Sequence, residues 1–151
     1  GAPPRPASSQ QAITAQKGPP SQHDALSARG HFDRGKAHLV AGRIAPASHD
    51  LARAHELEPS DANYLLHARF AHYLQGVGDR AALEKELLQL ATARAKEAEG
   101  DAFAFHVLGR LAFDQGDDDR ARKAFGRAER LAPNDVETLR YQRILASRAK
   151  K

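Results

Sequence analysis

Between residues 105 and 133, small and large side chains follow one fixed order. Phe105, Leu108, Gly109 and Ala112 come first, then Gly116, then Ala121, Phe125 and Ala128, then Pro133. Steps of three and four residues on either side of a glycine describe two helices, each with one packed face, joined by a tight turn. Gly109, Ala121 and Ala128 fall where two antiparallel helices approach most closely, and larger side chains there would hold the helices apart. Phe105, Leu108 and Phe125 fill the space beside those contacts. Pro133 cannot continue a helix and ends the second one. A hairpin of this size cannot bury its apolar face alone, so it needs stacked neighbours.

The rest of the body has matching features. It is rich in Ala, Leu, Arg and Glu, with no sustained alternation of period two, so helices are expected and strands are not. Breaks at Gly42, Pro59-Ser60-Asp61, Gly76 to Asp79, Gly100-Asp101, Gly116-Asp117 and Pro133 to Asp135 stop one helix and start the next. They predict seven helices near 23–41, 45–57, 62–75, 79–98, 102–115, 118–131 and 135–149. Asn134 with Glu137 is placed to form a capping box for the last. Anchoring the same order on Pro59 puts Gly35, Gly42, Ala47, Leu51 and Ala54 where Gly109, Gly116, Ala121, Phe125 and Ala128 stand. This copy departs at its large positions, which hold His31 and Arg34. Pro59 and Pro133 lie 74 residues apart, so a copy between them is about six residues too long. Its first helix carries Leu65, Ala68, His72, Gly76 and Ala81. Its second overruns, with Leu83, Leu87, Leu88, Leu90 and Ala91 as the apolar face.

The order at 105–133 resembles the tetratricopeptide repeat, a 34-residue helix–turn–helix unit. The resemblance covers about residues 23 to 150. It implies an all-α, right-handed α-α superhelix of about seven helices: repeat 1 over 28–61, an elongated repeat 2 over 62–101, repeat 3 over 102–135, and a capping helix over 136–150. In that family the first helices of successive units line a concave groove for a peptide or helix. The corresponding positions are Arg29, Phe32, Lys36 and Leu39 in the first unit and Asn63, Leu66, Phe70 and Tyr73 in the second. The third unit adds Phe103, His106, Arg110 and Phe113, and the capping helix adds Arg140. Aromatic groups among cations and an amide suit an apolar anchor plus an acidic group; alternatively Phe32, Phe70 and Phe113 are core between repeats. One subgroup clamps the carboxylate end of chaperone tails with Lys and Asn, but those positions hold Phe32 and Lys36 here, so a chaperone tail is not expected. The chain also resembles the C-terminal repeat arrays of bacterial multidomain proteins.

Residues 1–22 hold five of the eight prolines and a single large aliphatic, Ile13. Such a stretch cannot offset its ordering entropy by burial, so a disordered linker or tail is expected. The net charge of +4 arises mainly from the ends: Arg5 and Lys17 in the first segment, and Arg140, Arg143, Arg148, Lys150 and Lys151 after the last acid. Charges mix between them, unlike the single basic stripe of a nucleic-acid binder. With no cysteine, neither disulfides nor thiolate metal sites are available. The eight histidines form no His-x-x-His or His-x-x-x-His pair, so no metal is expected; His38 and His72 share one repeat position that packs. Asp114 to Asp119 has the look of a calcium loop, but Phe125 stands where its bidentate Glu would be, and caps account for these aspartates. No nucleophile elbow, phosphate loop or zinc-protease motif appears, and Glu84 and Glu86 point apart on one helix. The expectation is a non-catalytic, cytoplasmic protein-interaction module without cofactors. It is monomeric in the first reading. In the alternative it self-associates through the long fourth helix or an end face, and a third reading is a helical solenoid that contacts nucleic acid.

Overall fold

The computed structural model describes residues 21–149, and within these the regular structure is entirely helical. The seven helices are α1 Gln22–Val40, α2 Ile44–Leu57, α3 Ala62–Gln75, α4 Arg80–Glu97, α5 Ala102–Asp114, α6 Asp118–Leu131 and α7 Val136–Ala149. Each boundary lies within one residue of the sequence expectation. The Pro-rich segment, up to residue 20, lies outside the described residues. Gln22 already opens α1, and Ser21 caps it, its Oγ accepting from the Asp24 amide at 3.1 Å. Aspartate caps every helix start from α3 to α7: Asp61 accepts from Tyr64 N at 2.9 Å, Asp79 from Ala82 N at 3.1 Å, Asp101 from Ala104 N at 3.2 Å, Asp117 from Arg120 N at 3.1 Å and Asp135 from Thr138 N at 3.3 Å. Each carboxylate satisfies an amide that the first helical turn leaves without a partner.

The chain divides into two compact units, one up to Ala71 and one from His72. In the first, α1 and α2 form a hairpin closed on Gly35. A Cβ on Gly35 would lie 2.6 Å from Leu51 Cγ, so the glycine is what lets Leu51 reach the α1 backbone. Ala28, Ala47, Leu51 and Ala54 are fully buried along this seam. The turn at Gly42, with φ +77°, uses a left-handed conformation that other side chains rarely adopt.

The second unit repeats the arrangement with α5 and α6. Here a Cβ on Gly109 would meet the Phe125 ring at 2.7 to 2.8 Å. Ala121, Phe125 and Ala128 are buried, and Gly116 turns the chain at φ +82°. Pro59 and Pro133 stand just past the ends of α2 and α6, as expected of a residue that cannot extend a helix. Phe105 and Leu108 are only half-buried rather than core. On α4, Leu87 and Ala91 are fully buried, but Leu88 keeps 47 % of its surface. It is one residue, about 100°, around the helix from Leu87, and one face cannot hold both.

The capping box expected from Asn134 does not form. Helix α7 begins at Val136, so the cap position falls on Asp135, whose Oδ2 accepts from the Thr138 amide at 3.3 Å and its hydroxyl at 2.7 Å. Glu137 pairs with Arg140 instead, at 2.9 Å. Leu145 is buried and Ile144 packs beside it, but the main anchors of α7 are Tyr141 and Thr138, 5 % and 1 % exposed.

Two glycines separate packing from propensity. Gly109→Ala is expected to lower stability by about 1–3 kcal/mol despite alanine's better helix propensity, because the ring of Phe125 must move. Gly126→Ala, whose Cβ would come no nearer than 3.9 Å to Gln142 Nε2, is expected to raise stability by roughly 0.5–1 kcal/mol. Thermal melts of the two variants against the native chain check both.

Candidate functional site

The first-helix positions sort into two groups. In the first unit, Phe32, Leu66 and Phe70 are buried, at 3 %, 0 % and 4 % exposure. Phe32 packs tilted on Tyr64 with ring centres 4.6 Å apart and edge-on to His67 at 4.8 Å. Accessible surface remains on Arg29, Lys36, Leu39 and Asn63. Lys36 Nζ sits 4.6 Å from the centre of the Phe32 ring, a cation–π contact that orients it, and Arg29 pairs with Asp33 at 3.2 Å.

A polar cluster explains why this hairpin departs from the repeated order at His31 and Arg34. Both side chains reach Asp50 Oδ1, at 2.9 and 3.3 Å, and His38 Nε2 lies 3.7 Å from Oδ2. Burial works against the charge on Asp50, yet the hydrogen bond from His31 and the Arg34 guanidinium outweigh it and hold the carboxyl below its ordinary range. Asp50 was not among the expected site residues. Among the described residues, no three His, Cys, Asp or Glu side chains are grouped to hold a metal ion.

In the second unit Tyr73 is 2 % exposed, and its hydroxyl donates to Asp114 Oδ2 at 2.6 Å. Arg80 covers the Tyr73 ring at 4.3 Å and reaches the hydroxyl at 2.8 Å, while Arg110 Nε binds Asp114 at 3.0 Å. Burial and the neighbouring carboxylate push the Tyr73 phenol far above its usual range. Asp114 therefore ends α5 as the hub of this network; among the aspartates of 114–119, Asp117 is the one that caps a helix.

Around α7 lies a ring cluster. Phe125 stacks on Tyr141 at 5.2 Å with planes 7° apart, and Phe113 meets Tyr141 edge-on at 4.9 Å. Two guanidiniums face the same Tyr141 ring, Arg110 at 5.1 Å and Arg140 at 4.7 Å. His106 is buried beside the Phe125 ring at 5.3 Å. Its Nδ1–H donates to Thr138 Oγ1 at 2.8 Å, and that hydroxyl donates on to Asp135. Burial drives the His106 pKa down, Asp135 and Glu137 oppose the shift, and Arg110 and Arg140 reinforce it.

A family model described as tetratricopeptide repeat matches residues 102–135. Residues 102–135 are a tetratricopeptide repeat. Among solved structures, the first TPR of Spaghetti (RPAP3) bound to HSP90 peptide SRMEEVD is similar at a TM-score of 0.57 and 14 % identity, over 84 % of this chain and 98 % of that one. The chain thus has the fold of a tetratricopeptide-repeat module. No curated protein is matched by the sequence.

Within the matched repeat, Phe103, Arg110 and Phe113 keep part of their surface and His106 does not. Arg140, on the helix that follows the repeat, is exposed. Sequence alone missed Tyr141, the ring that the two guanidiniums of this region share. Its apolar contacts, Phe113 and Phe125, lie on two other helices, so no local pattern announces it. Among the described residues no helix is long and apolar enough to cross a membrane.

The buried imidazole makes the repeat pH-sensitive. With a folded pKa below the unfolded value of about 6.5, the unfolded chain binds more protons on the acid side, so stability falls as pH drops through that window. Between pH ~7.5 and ~5.5 the native chain is expected to lose more stability than His106→Gln, by at most ~1.4 kcal/mol per pH unit, and so to show the larger fall in melting temperature. Equal losses in parallel melts would show that His106 is not held neutral.

Proposed function

We propose that this chain is a non-catalytic docking module that binds a short acidic segment of a partner protein on the exposed face of α5 and α7. The observation that carries this is the pair of guanidiniums, Arg110 and Arg140, held on one aromatic ring. Among the described residues Arg110 engages Asp114 only through Nε, so its terminal amino groups keep donors for a bidentate carboxylate contact. The half-buried Phe113 and Phe103 on α5 supply apolar surface beside them. Aromatic and arginine groups placed together in this way are the usual composition of binding hot spots.

The neighbouring fold bound to an acidic peptide supports the class of partner, but not its identity. The chaperone-tail subgroup's Lys and Asn positions hold Phe32 and Lys36 here, so SRMEEVD serves as a comparison peptide rather than the proposed ligand. In the first unit, Lys36 on Phe32 and the exposed Arg29 provide cations of the same kind. Tyr73 and His106 support the face from within the second unit, while Phe32, Leu66 and Phe70 are packed inside the first.

The test is affinity capture with the native chain beside Arg110→Gln/Arg140→Gln, a variant chosen because glutamine can keep a hydrogen bond to Asp114. A partner held by the native chain is expected to lose at least about tenfold in affinity with the variant at unchanged melting temperature. Equal capture by both proteins would contradict the assignment. A mass that rises with concentration, with no sensitivity at these arginines, would instead favour self-association through α4.

A further inference from the structure

On the other side of α5, within the second unit, a cleft of about 440 Å³ opens against α4 and α6. Its floor is apolar and includes Leu88, Phe105 and Leu108, side chains that were expected to pack inward and are not fully buried. Its wall is cationic. Arg120, Lys123, Arg127 and Arg130 line it from α6, at steps of three, four and three residues that place them in one stripe. No Asp or Glu contributes to the lining. Among the described residues Lys123, Arg127 and Arg130 form no ion pair, and Arg120 has only a long contact of 3.8 Å to Asp117. Arg127 lies 5.0 Å over the Phe105 ring, so wall and floor meet there.

We infer that this cleft is a second docking site, separate from the face of α5 and α7, and that it takes an acidic amphipathic segment of a partner protein. Charge complementarity selects the sign, because a wall of four cations without a carboxylate favours a polyanionic partner. Spacing selects a linear one. From Arg120 to Arg130 the stripe runs about 15 Å, which a single small anion cannot span but three turns of an acidic helix can. The floor selects apolar side chains on the partner's other face, for which bare phosphates have no use. The chain's own first segment has the wrong charge, with Arg5 and Lys17 and no acid in residues 1–22.

The test titrates the full chain into a fluorescent peptide of roughly four helical turns, with leucines on one face and glutamates flanking them. A scrambled peptide of the same composition and a short single-stranded RNA are run beside it. Three variants are compared with the native chain by anisotropy after their melts are matched: Lys123→Glu/Arg130→Glu, Leu88→Ser and Arg110→Gln/Arg140→Gln. The expected result is that the amphipathic peptide binds natively and loses at least about tenfold in the first two variants. It should keep its affinity when only Arg110 and Arg140 are changed. No binding, equal binding of the scrambled peptide, tighter binding of the RNA, or indifference to Leu88 would each overturn the inference. Loss only in the Arg110/Arg140 variant would also overturn it, by placing the peptide on the first face and leaving that assignment standing.

Discussion

The contact between Gly109 and the Phe125 ring is the constraint from which the rest of the second unit follows. With no Cβ on α5, the ring of Phe125 lies directly against its backbone, and α5 and α6 close to a distance that any larger residue would prevent. That seats Phe125 flat on Tyr141, and Tyr141 in turn fixes where α7 lies against the hairpin. Gly35 and Leu51 make the same kind of contact in the first unit, with an aliphatic side chain in place of the ring.

Functional groups hang on this packing. Arg110 comes from α5 and Arg140 from α7, and they share a surface because both stack on the ring that Phe125 holds. Polar networks then restrict them further: Asp114 takes the Arg110 Nε, while Glu137, its carboxyl held low by the hydrogen bond from Arg140, anchors the second guanidinium. Cations held in place by rings and carboxylates lose less rotamer freedom on binding than free surface arginines do, which favours recognition over mere solubility. The same small-residue geometry shapes the opposite side of α5. Leu87 and Ala91 take up the buried face of α4, so Leu88 is left at the rim of the basic cleft.

Helix number, limits and seams were legible in the sequence because they depend on local spacing. Glycines and prolines mark the ends, and Gly35, Ala47, Ala54, Gly109, Ala121 and Ala128 lie on the tight seams for a steric reason that a pattern of sizes encodes. The polar hubs were not legible. Asp50 takes its partners from sixteen and nineteen residues away, and Tyr73 reaches Asp114 across forty-one, distances at which no motif indicates a hydrogen bond. One-residue effects also escaped: Asp135 rather than Asn134 caps α7, and Leu88 turns out where Leu87 turns in. For the expected groove positions, sequence set Phe32, Phe70 and Tyr73 among the cations but could not tell a packed ring from a presented one. Burial makes that distinction, and it leaves the cations as the accessible part.

Packing presents Arg110 and Arg140 as a preset pair. The most direct test is the mobility of their Nε–H vectors by ¹⁵N relaxation, in the native chain and in Tyr141→Leu, with Arg143 as an exposed reference. Restricted side chains are expected in the native chain, with order parameters approaching the ~0.85 of rigid backbone, and a clear fall for both when the ring is removed. Order parameters for Arg110 and Arg140 as low as that of Arg143 in the native chain, unchanged in the variant, would contradict it.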